Sequence, residues 1–310
     1  MNLSRRAFDA LILSGVGAAA LSIGLVAAPA LAQDGGQSHL GIPVDKIGLV
    51  GFTIRAQIGE DAAGALKAVA ECGIENIEFS GPNFDGDVPS FQGIAIPDIK
   101  EYAEEFGFNV PSLGVNAEHL ADQLDQVIDA AHAVGATYVR ISGRPGEGED
   151  PATYYSELAT LLNEAGAGLK EAGVTVAYHN HGYEFDDLGT GQSGYDILLN
   201  ETDPDLVAFE LDLYWAVIGS ANAVELMEAN PGRFPLLHVK DAQMVTNAEG
   251  AEEITFATVG QGFIDFQEIF DLSDVAGVDY YFIENDRPEP DGITSACESY
   301  AYLSAEVAPN

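Results

Sequence analysis

Apolar positions along this chain alternate between two periods. Stretches rich in Ala, Leu and Glu repeat their apolar residues every three to four positions, end at a glycine and pass at once into a β-branched apolar run. The junctions are Cys72-Gly73-Ile74, Phe106-Gly107-Phe108, Val134-Gly135-Ala136, Ala172-Gly173-Val174 and Ala276-Gly277-Val278. Glycine at such a point supplies the left-handed residue that stops a helix before the chain turns into a strand. Recurrence of one junction predicts stacked βα units. Strands are expected over 47–54, 74–80, 109–115, 137–142, 174–181, 206–213, 235–240 and 279–285. Helices are expected near 60–72, 96–106, 118–134, 153–172, 193–201, 221–229, 266–276 and 292–306. Eight strands alternating with eight helices indicate an α/β chain folded as a (β/α)8 TIM barrel rather than an open sheet. No linker inside 47–310 is long enough to divide it, so the barrel is a single domain.

In a parallel barrel the groups that do chemistry gather where strands end and the loops to the next helix begin. Strand parity then selects the side chains that face inward. On the fifth strand, Val174, Val176 and Tyr178 suit the helix-facing side, leaving Thr175, Ala177, His179 and His181 inside. The sixth, with Val207, Phe209, Leu211 and Leu213 outward, points Glu210, Asp212 and Tyr214 inward. The same test turns His238 and Lys240 inward on the seventh strand, Phe282 and Glu284 on the eighth, and Glu78 and Arg140 on the second and fourth.

Composition changes this picture at the N-terminus and at the surface. Ser4-Arg5-Arg6-Ala7-Phe8 precedes an apolar, Gly/Ser/Ala-rich stretch that ends at Ala30-Leu31-Ala32, a small-x-small cleavage pattern. Residues 1–32 therefore read as a twin-arginine-type signal peptide, with 33–46 as a polar linker. The expectation is a periplasmic or otherwise exported protein with no stable membrane insertion after cleavage; the competing reading is a single membrane anchor. The chain carries 12 Lys plus Arg against 50 Asp plus Glu, a net charge of -38. Such a surface repels phosphate backbones and excludes nucleic acid as a partner. It also suits a saline medium, where screening weakens self-repulsion. Cys72 and Cys297 are too few for a disulfide scaffold, and both one bridge and two unpaired thiols are open.

The inward groups raise the question of chemistry. A buried network of Asp and Glu paired with Arg140, Lys240 and histidines is one reading. The other is a divalent metal bound by mixed nitrogen and oxygen donors, because like charges converging in one cavity need a compensating cation. Arg55, Arg140, Arg144, Lys240 and Arg287 all fall at or just after strand ends, where they would pair with the carboxylates or bind a polyhydroxy or anionic ligand. Lys240 is assigned a chemical role on the expectation that a cation among histidines and metal has a depressed pKa. Trp215, the chain's one tryptophan, with Tyr214 and Tyr183 nearby, suits stacking on a sugar ring or ordinary packing under a loop. The two glycines of "TVGQGFIDF" are not a dinucleotide fingerprint, since the third glycine and the strand-turn-helix setting are missing.

Four segments, "YHNHGYEF" (178–185), "FELDLYW" (209–215), "LLHVKD" (236–241) and "IEND" (283–286), together make the chain resemble the xylose isomerase-like barrel proteins known as sugar phosphate isomerases/epimerases, in their exported branch. The resemblance spans essentially the whole mature chain. It implies a divalent ion (Mn, Co, Mg or Zn) held by residues of strands five to eight, which carry over as Asp212, His238 and Glu284. Where many members have a glutamate on strand five, this chain has His179, with Glu184 in the following loop; parity favours the first and charge the second. The implied reaction is proton abstraction next to a carbonyl of a sugar or keto-sugar, giving isomerisation or epimerisation. Loss of the strand-five glutamate makes a histidine of near-neutral pKa, His181 or His179, the candidate base and brings β-elimination or hydration of 3-keto-glycosides close behind. Glu78, Arg140, Trp215 and Arg287 are the expected substrate contacts. A non-catalytic exported sugar-binding protein is the alternative of another class.

Overall fold

A computed structural model describes residues 36–306 apart from Asp87. The expected signal peptide and the start of the linker lie outside the described residues. Eight parallel strands form the barrel: β1 (Ile47–Val50), β2 (Ile77–Glu78), β3 (Ser112–Gly114), β4 (Tyr138–Ile141), β5 (Thr175–His179), β6 (Val207–Asp212), β7 (Leu236–Val239) and β8 (Tyr280–Ile283). Neighbours pair in the order β2-β1-β8-β7-β6-β5-β4-β3. The seam between β2 and β3 is closed by parallel bridges Asn76–Asn109 and Phe79–Leu113, with the Gly114 N–H donating to the Phe79 carbonyl. An edge left open there would expose unpaired backbone groups; closure removes it.

The outer layer consists of α1 (Arg55–Glu71), α2 (Ile96–Phe106), α3 (Leu124–Val134), α4 (Pro151–Glu171), α5 (Gly194–Glu201), α6 (Ala223–Ala229), α7 (Phe266–Phe270) and α8 (Gly292–Ser304). Every glycine predicted to stop a helix has the left-handed φ that the junction requires, from 77° at Gly173 to 100° at Gly73. Polar caps begin the helices: Asp150 accepts from the Thr153 N–H, Asp291 from the Thr294 N–H, and Ser193 forms a capping box with Asp196. The main apolar core lies between the two layers, filled by outward residues such as Leu49, Ile77, Leu113, Val139, Val176, Phe209, Leu237 and Ile283. A smaller plug inside the barrel comprises Val50, Ala177, Ala208, Leu236 and Phe282. Gly48 admits the Phe282 ring, since a Cβ at Gly48 would stand 2.6 Å from it.

Several expectations are corrected. The first strand ends at Val50, because Gly51–Ile54 turns as a 3-10 helix. The helix expected over 118–134 is broken at Gln123 into Ala117–Asp122 and Leu124–Val134, and that over 266–276 into Phe266–Phe270 and Ser273–Ala276. The sixth strand stops at Asp212, whose carboxylate caps the helix Leu213–Ile218, so Tyr214 does not follow strand parity but stacks on Phe256 at 4.1 Å. An antiparallel hairpin, Asp241–Thr246 with Glu252–Ala257, and a three-stranded patch of Pro82–Asn83, Ser90–Phe91 and Ile94–Ala95 rise from loops. Part of the expected linker belongs to the barrel: Leu40 and Ile42 are buried in its core. No helix among the described residues is long and apolar enough to cross a membrane.

Cys72, just beyond α1, is bonded to Cys297 of α8, across a sequence separation of 225 residues. The bridge joins the first helix of the ring to the last. Replacing both cysteines with serine is expected to lower the unfolding free energy by about 2–4 kcal/mol, chiefly by freeing the unfolded chain. Denaturant titration checks this, and equal stability of the variant and the oxidised wild type would show that the bridge does not form.

Candidate metal centre and barrel mouth

The interior above the apolar plug is polar in two tiers. In the lower tier, Glu78 on β2 accepts from the Ser112 hydroxyl at 2.6 Å and from the Arg140 Nε at 2.9 Å. Glu210 on β6 lies 3.5 Å from the same Arg140 Nε and 2.9 Å from His238 Nε2, which is also 3.2 Å from Glu78. Arg140 fits here because its neighbour on β3 is a glycine: a Cβ at Gly114 would stand 2.7 Å from the guanidinium carbon. Glu78 and Arg140, expected among the substrate contacts, thus engage each other and the barrel floor.

The upper tier carries Asp212, Glu284, Lys240 and Asp286. Lys240 Nζ lies 3.0 Å from Asp212, 2.9 Å from Glu284 and 3.1 Å from Asp286. His238 spans the tiers. With Nε2 donating to the two glutamates below, Nδ1 is turned toward Glu284 (2.8 Å) and Asp212 (3.8 Å). A carboxylate behind one ring nitrogen fixes which nitrogen faces a cation and raises its basicity. His179 at the end of β5 completes the group. Ligating atoms of His179, Asp212 and His238 lie within 4.8 Å of one another, all on buried residues.

This donor set fits a divalent ion. His179 Nδ1, His238 Nδ1, Asp212 Oδ2 and Glu284 Oε2 are all buried without a properly aligned hydrogen-bond partner, although some lie at ion-pair distance from a neighbour. Unpaired polar atoms at this depth are costly, and a cation bound by mixed nitrogen and oxygen donors satisfies them together. The fold also separates His179 from Glu184. One Glu184 oxygen lies 2.8 Å from the Tyr178 hydroxyl and the other accepts from the His181 N–H at 2.9 Å. Asn180 sits between the two histidines and ties their strand to the next: its Oδ1 accepts from the Asp212 N–H at 2.9 Å.

Electrostatics overturns one expectation and sharpens another. Burial would depress the Lys240 ammonium, but Asp212, Glu284 and Asp286 outweigh it and raise its pKa, so Lys240 stays a cation. His181 moves the other way: burial, then Lys240 and Arg140, lower it to about 4, and His179 falls well below its ordinary value for the same leading reason. Both imidazoles are uncharged at neutral pH rather than poised near it. Burial and the neighbouring Glu78 push Glu210 up to about 7, while burial and Glu284 push Asp286 up to about 6.

His181 lies beyond the end of β5 at the mouth, its ring 5.0 Å from that of His179, stacked on Tyr183 at 5.4 Å and 5.6 Å from Trp215. Trp215 is half-buried, with its indole N–H unpartnered. Arg287 is exposed at the rim after β8. Sequence reading gave no role to Glu210 or Asp286, although each lies two residues from a candidate ligand and shares its strand parity. It also passed over Asp241, a buried carboxylate that accepts from the Ala242, Gly260, Gly262 and Ile264 N–H groups and so holds the "TVGQGF" loop.

The fold and parts of the sequence have counterparts. The inosose dehydratase of Geobacillus thermodenitrificans is 28% identical over 142 residues, 42% of this chain and 46% of that protein. The chain spans about half the length of the curated relatives it matches first. A crystal structure of a sugar phosphate isomerase/epimerase from Parabacteroides distasonis has a TM-score of 0.73 at 24% identity, over 88% of this chain and 95% of that one. The IOLI protein with a bound zinc atom has a TM-score of 0.63 at 16% identity, over 84% and 98%. At such identities the structural likeness establishes the shared fold. The family described as xylose isomerase-like TIM barrel matches residues 66–301, most of the barrel. The chain belongs to the xylose isomerase-like TIM barrel family.

Proposed function

We propose that this protein is a divalent-metal-dependent enzyme that removes a proton next to the carbonyl of a keto-sugar or keto-cyclitol and expels the β-hydroxyl as water. This dehydratase or lyase reading stands ahead of isomerisation or epimerisation. It rests above all on the buried group His179, Asp212 and His238 with Glu284 beside it, whose unpaired donor atoms face one another under a histidine that is free of the group. These four residues would hold the ion, which when bound supplies Lewis-acid polarisation of the substrate carbonyl.

His181, uncharged at neutral pH, takes the proton from the carbon beside the carbonyl. The C–H electron pair becomes a carbon-carbon double bond, the β C–O bond breaks, and the departing hydroxyl takes up the proton that His181 had accepted and leaves as water. Lys240, kept as an ammonium by three carboxylates, donates hydrogen bonds to oxygen that gains charge. Trp215 offers a ring face to the sugar, and Arg287 reaches its hydroxyls from the rim. Epimerisation needs a base on one face and an acid on the other. The strand-five position that would carry one of them is here His179, placed with the metal donors. The names of the curated relatives point to dehydration as well, while the Parabacteroides structure favours the isomerase reading.

The mature chain is proposed to work outside the cytoplasm. The paired arginines at positions 5 and 6 support this, and so does the Cys72–Cys297 bridge, because disulfides persist in oxidising compartments.

Two measurements test the reading. Elemental analysis of the wild type is expected to find about one divalent ion per chain, with Asp212→Asn and His238→Ala each losing at least tenfold in metal affinity. Full metal in Asp212→Asn would sink the site. Incubation of the metal-loaded enzyme with inosose in heavy water is expected to give a product lighter by one water. A product of unchanged composition with deuterium next to the carbonyl would establish the isomerase reading instead, and bound sugar with no exchange would leave a binding protein.

A further inference from the structure

Glu184 is fully buried, on the single 3-10 turn Tyr183–Phe185 that follows His181. Its two oxygens meet the Tyr178 hydroxyl at 2.8 Å and the His181 backbone N–H at 2.9 Å. The same Tyr178 hydroxyl is 2.9 Å from the Gly143 carbonyl in the loop after β4. A phenol has one proton, and two acceptors face it here. Were Glu184 ionised, either the carbonyl or the carboxylate would face a lone pair, at full desolvation cost. A protonated Glu184 removes the conflict. It donates to the Tyr178 oxygen, Tyr178 donates to Gly143, and the His181 N–H donates to the second carboxyl oxygen.

Among the described residues, no Lys, Arg or His side chain forms an ion pair with Glu184. Tyr178 comes from β5, Tyr155 from α4, Tyr195 from α5, Tyr183 from its own turn, and Asp212 adds a negative charge from β6. Arg144 lies beyond the Tyr183 ring, 5.4 Å from its centre. Burial therefore dominates and pushes the Glu184 carboxyl up to about 7.

We propose that Glu184 works as a neutral carboxylic acid, a positioning residue that ties the His181 backbone through Tyr178 to Gly143 and so sets where the His181 imidazole stands. The inference rests on the reading of His181 as the proton acceptor. The turn that holds Glu184 also carries Tyr183, whose ring stacks on His181 and whose hydroxyl lies 3.3 Å from His181 Nδ1. Glu184 thus fixes both the backbone and the stacking partner of that imidazole.

Glu184→Gln reproduces the donor and acceptor of the neutral acid, whereas Glu184→Leu removes both. Difference infrared spectra of wild type minus Glu184→Gln at pH 5.5 should contain the carbonyl stretch of a protonated carboxyl group. In NMR, the His181 ring resonance should be unchanged in Glu184→Gln and displaced or broadened in Glu184→Leu. Proton exchange from inosose into heavy water should stay within about threefold of wild type in Glu184→Gln and fall at least tenfold in Glu184→Leu at full metal content. A native carboxyl that dissociates near 7, against 4.5 unfolded, stabilises fully below pH 4.5 and loses that contribution as pH rises through 7. The Tm of the wild type should therefore fall between pH 5 and 8 relative to Glu184→Gln. Damage in Glu184→Gln equal to that in Glu184→Leu, or an unmoved His181 resonance in Glu184→Leu, would overturn the proposal. Absence of exchange in the wild type would refute the reaction, while the infrared and NMR measurements would still decide the role of Glu184.

Discussion

Five carboxyl groups, Glu78, Glu210, Asp212, Glu284 and Asp286, meet in the interior of the barrel mouth, and their mutual repulsion must be offset within a few ångströms. Arg140 and Lys240 supply fixed positive charge, one in each tier, and His238 links the tiers. Buried charge survives only when paired, so the placement of these cations constrains much of what surrounds them. Gly114 leaves room for Arg140, Asn180 holds the Asp212 backbone, and the end of β6 turns straight into a helix that Asp212 caps. The remaining unpaired oxygen and nitrogen atoms face one another between Asp212, His238 and His179, where a divalent ion would balance what the two basic side chains leave over.

Much of the barrel was legible in the sequence because its two periods are physical. Alternation on a strand bounded by two layers separates Val176 and Tyr178 from Ala177 and His179, and that parity carries His238, Glu284 and Arg140 inward without reference to any partner. Parity fails where the strand ends. Tyr214 looks like the next inward residue after Asp212, but the carboxylate of Asp212 captures the Trp215 N–H and starts a helix there. The hairpin 241–257 was missed for a related reason. Its strands face solvent on much of their length, so the apolar signal that marks a barrel strand is absent. Glu210 was visible as inward yet mute, because its partners Arg140, His179 and His238 come from three other strands.

Charge state was the least legible property. Sequence supplied a lysine next to histidines, and proximity to positive groups suggested a weakened ammonium. In the fold three carboxylates surround Lys240, and its proton is held more firmly than in water. Conversely, the histidines expected near neutrality lie in a buried setting close to Lys240 and Arg140 and remain uncharged. The sign of each shift depends on which side chains converge from distant strands, information carried by topology rather than by neighbours in the chain. The same holds for the strand-five departure from the family pattern: His179 reaches Asp212 and His238, while Glu184 is turned into a pocket of phenols.

The bond between Cys72 and Cys297 has a consequence for the molecule as a material object. It makes the intervening chain a covalent circle that contains seven of the eight barrel strands and most of the encircling helices. A protease that nicks an exposed loop such as 247–250 opens that circle without releasing a fragment, and the broken ends stay tethered beside their neighbours. Such a hoop turns a cut that would sever an ordinary chain into a local breach whose two ends remain part of one covalent molecule.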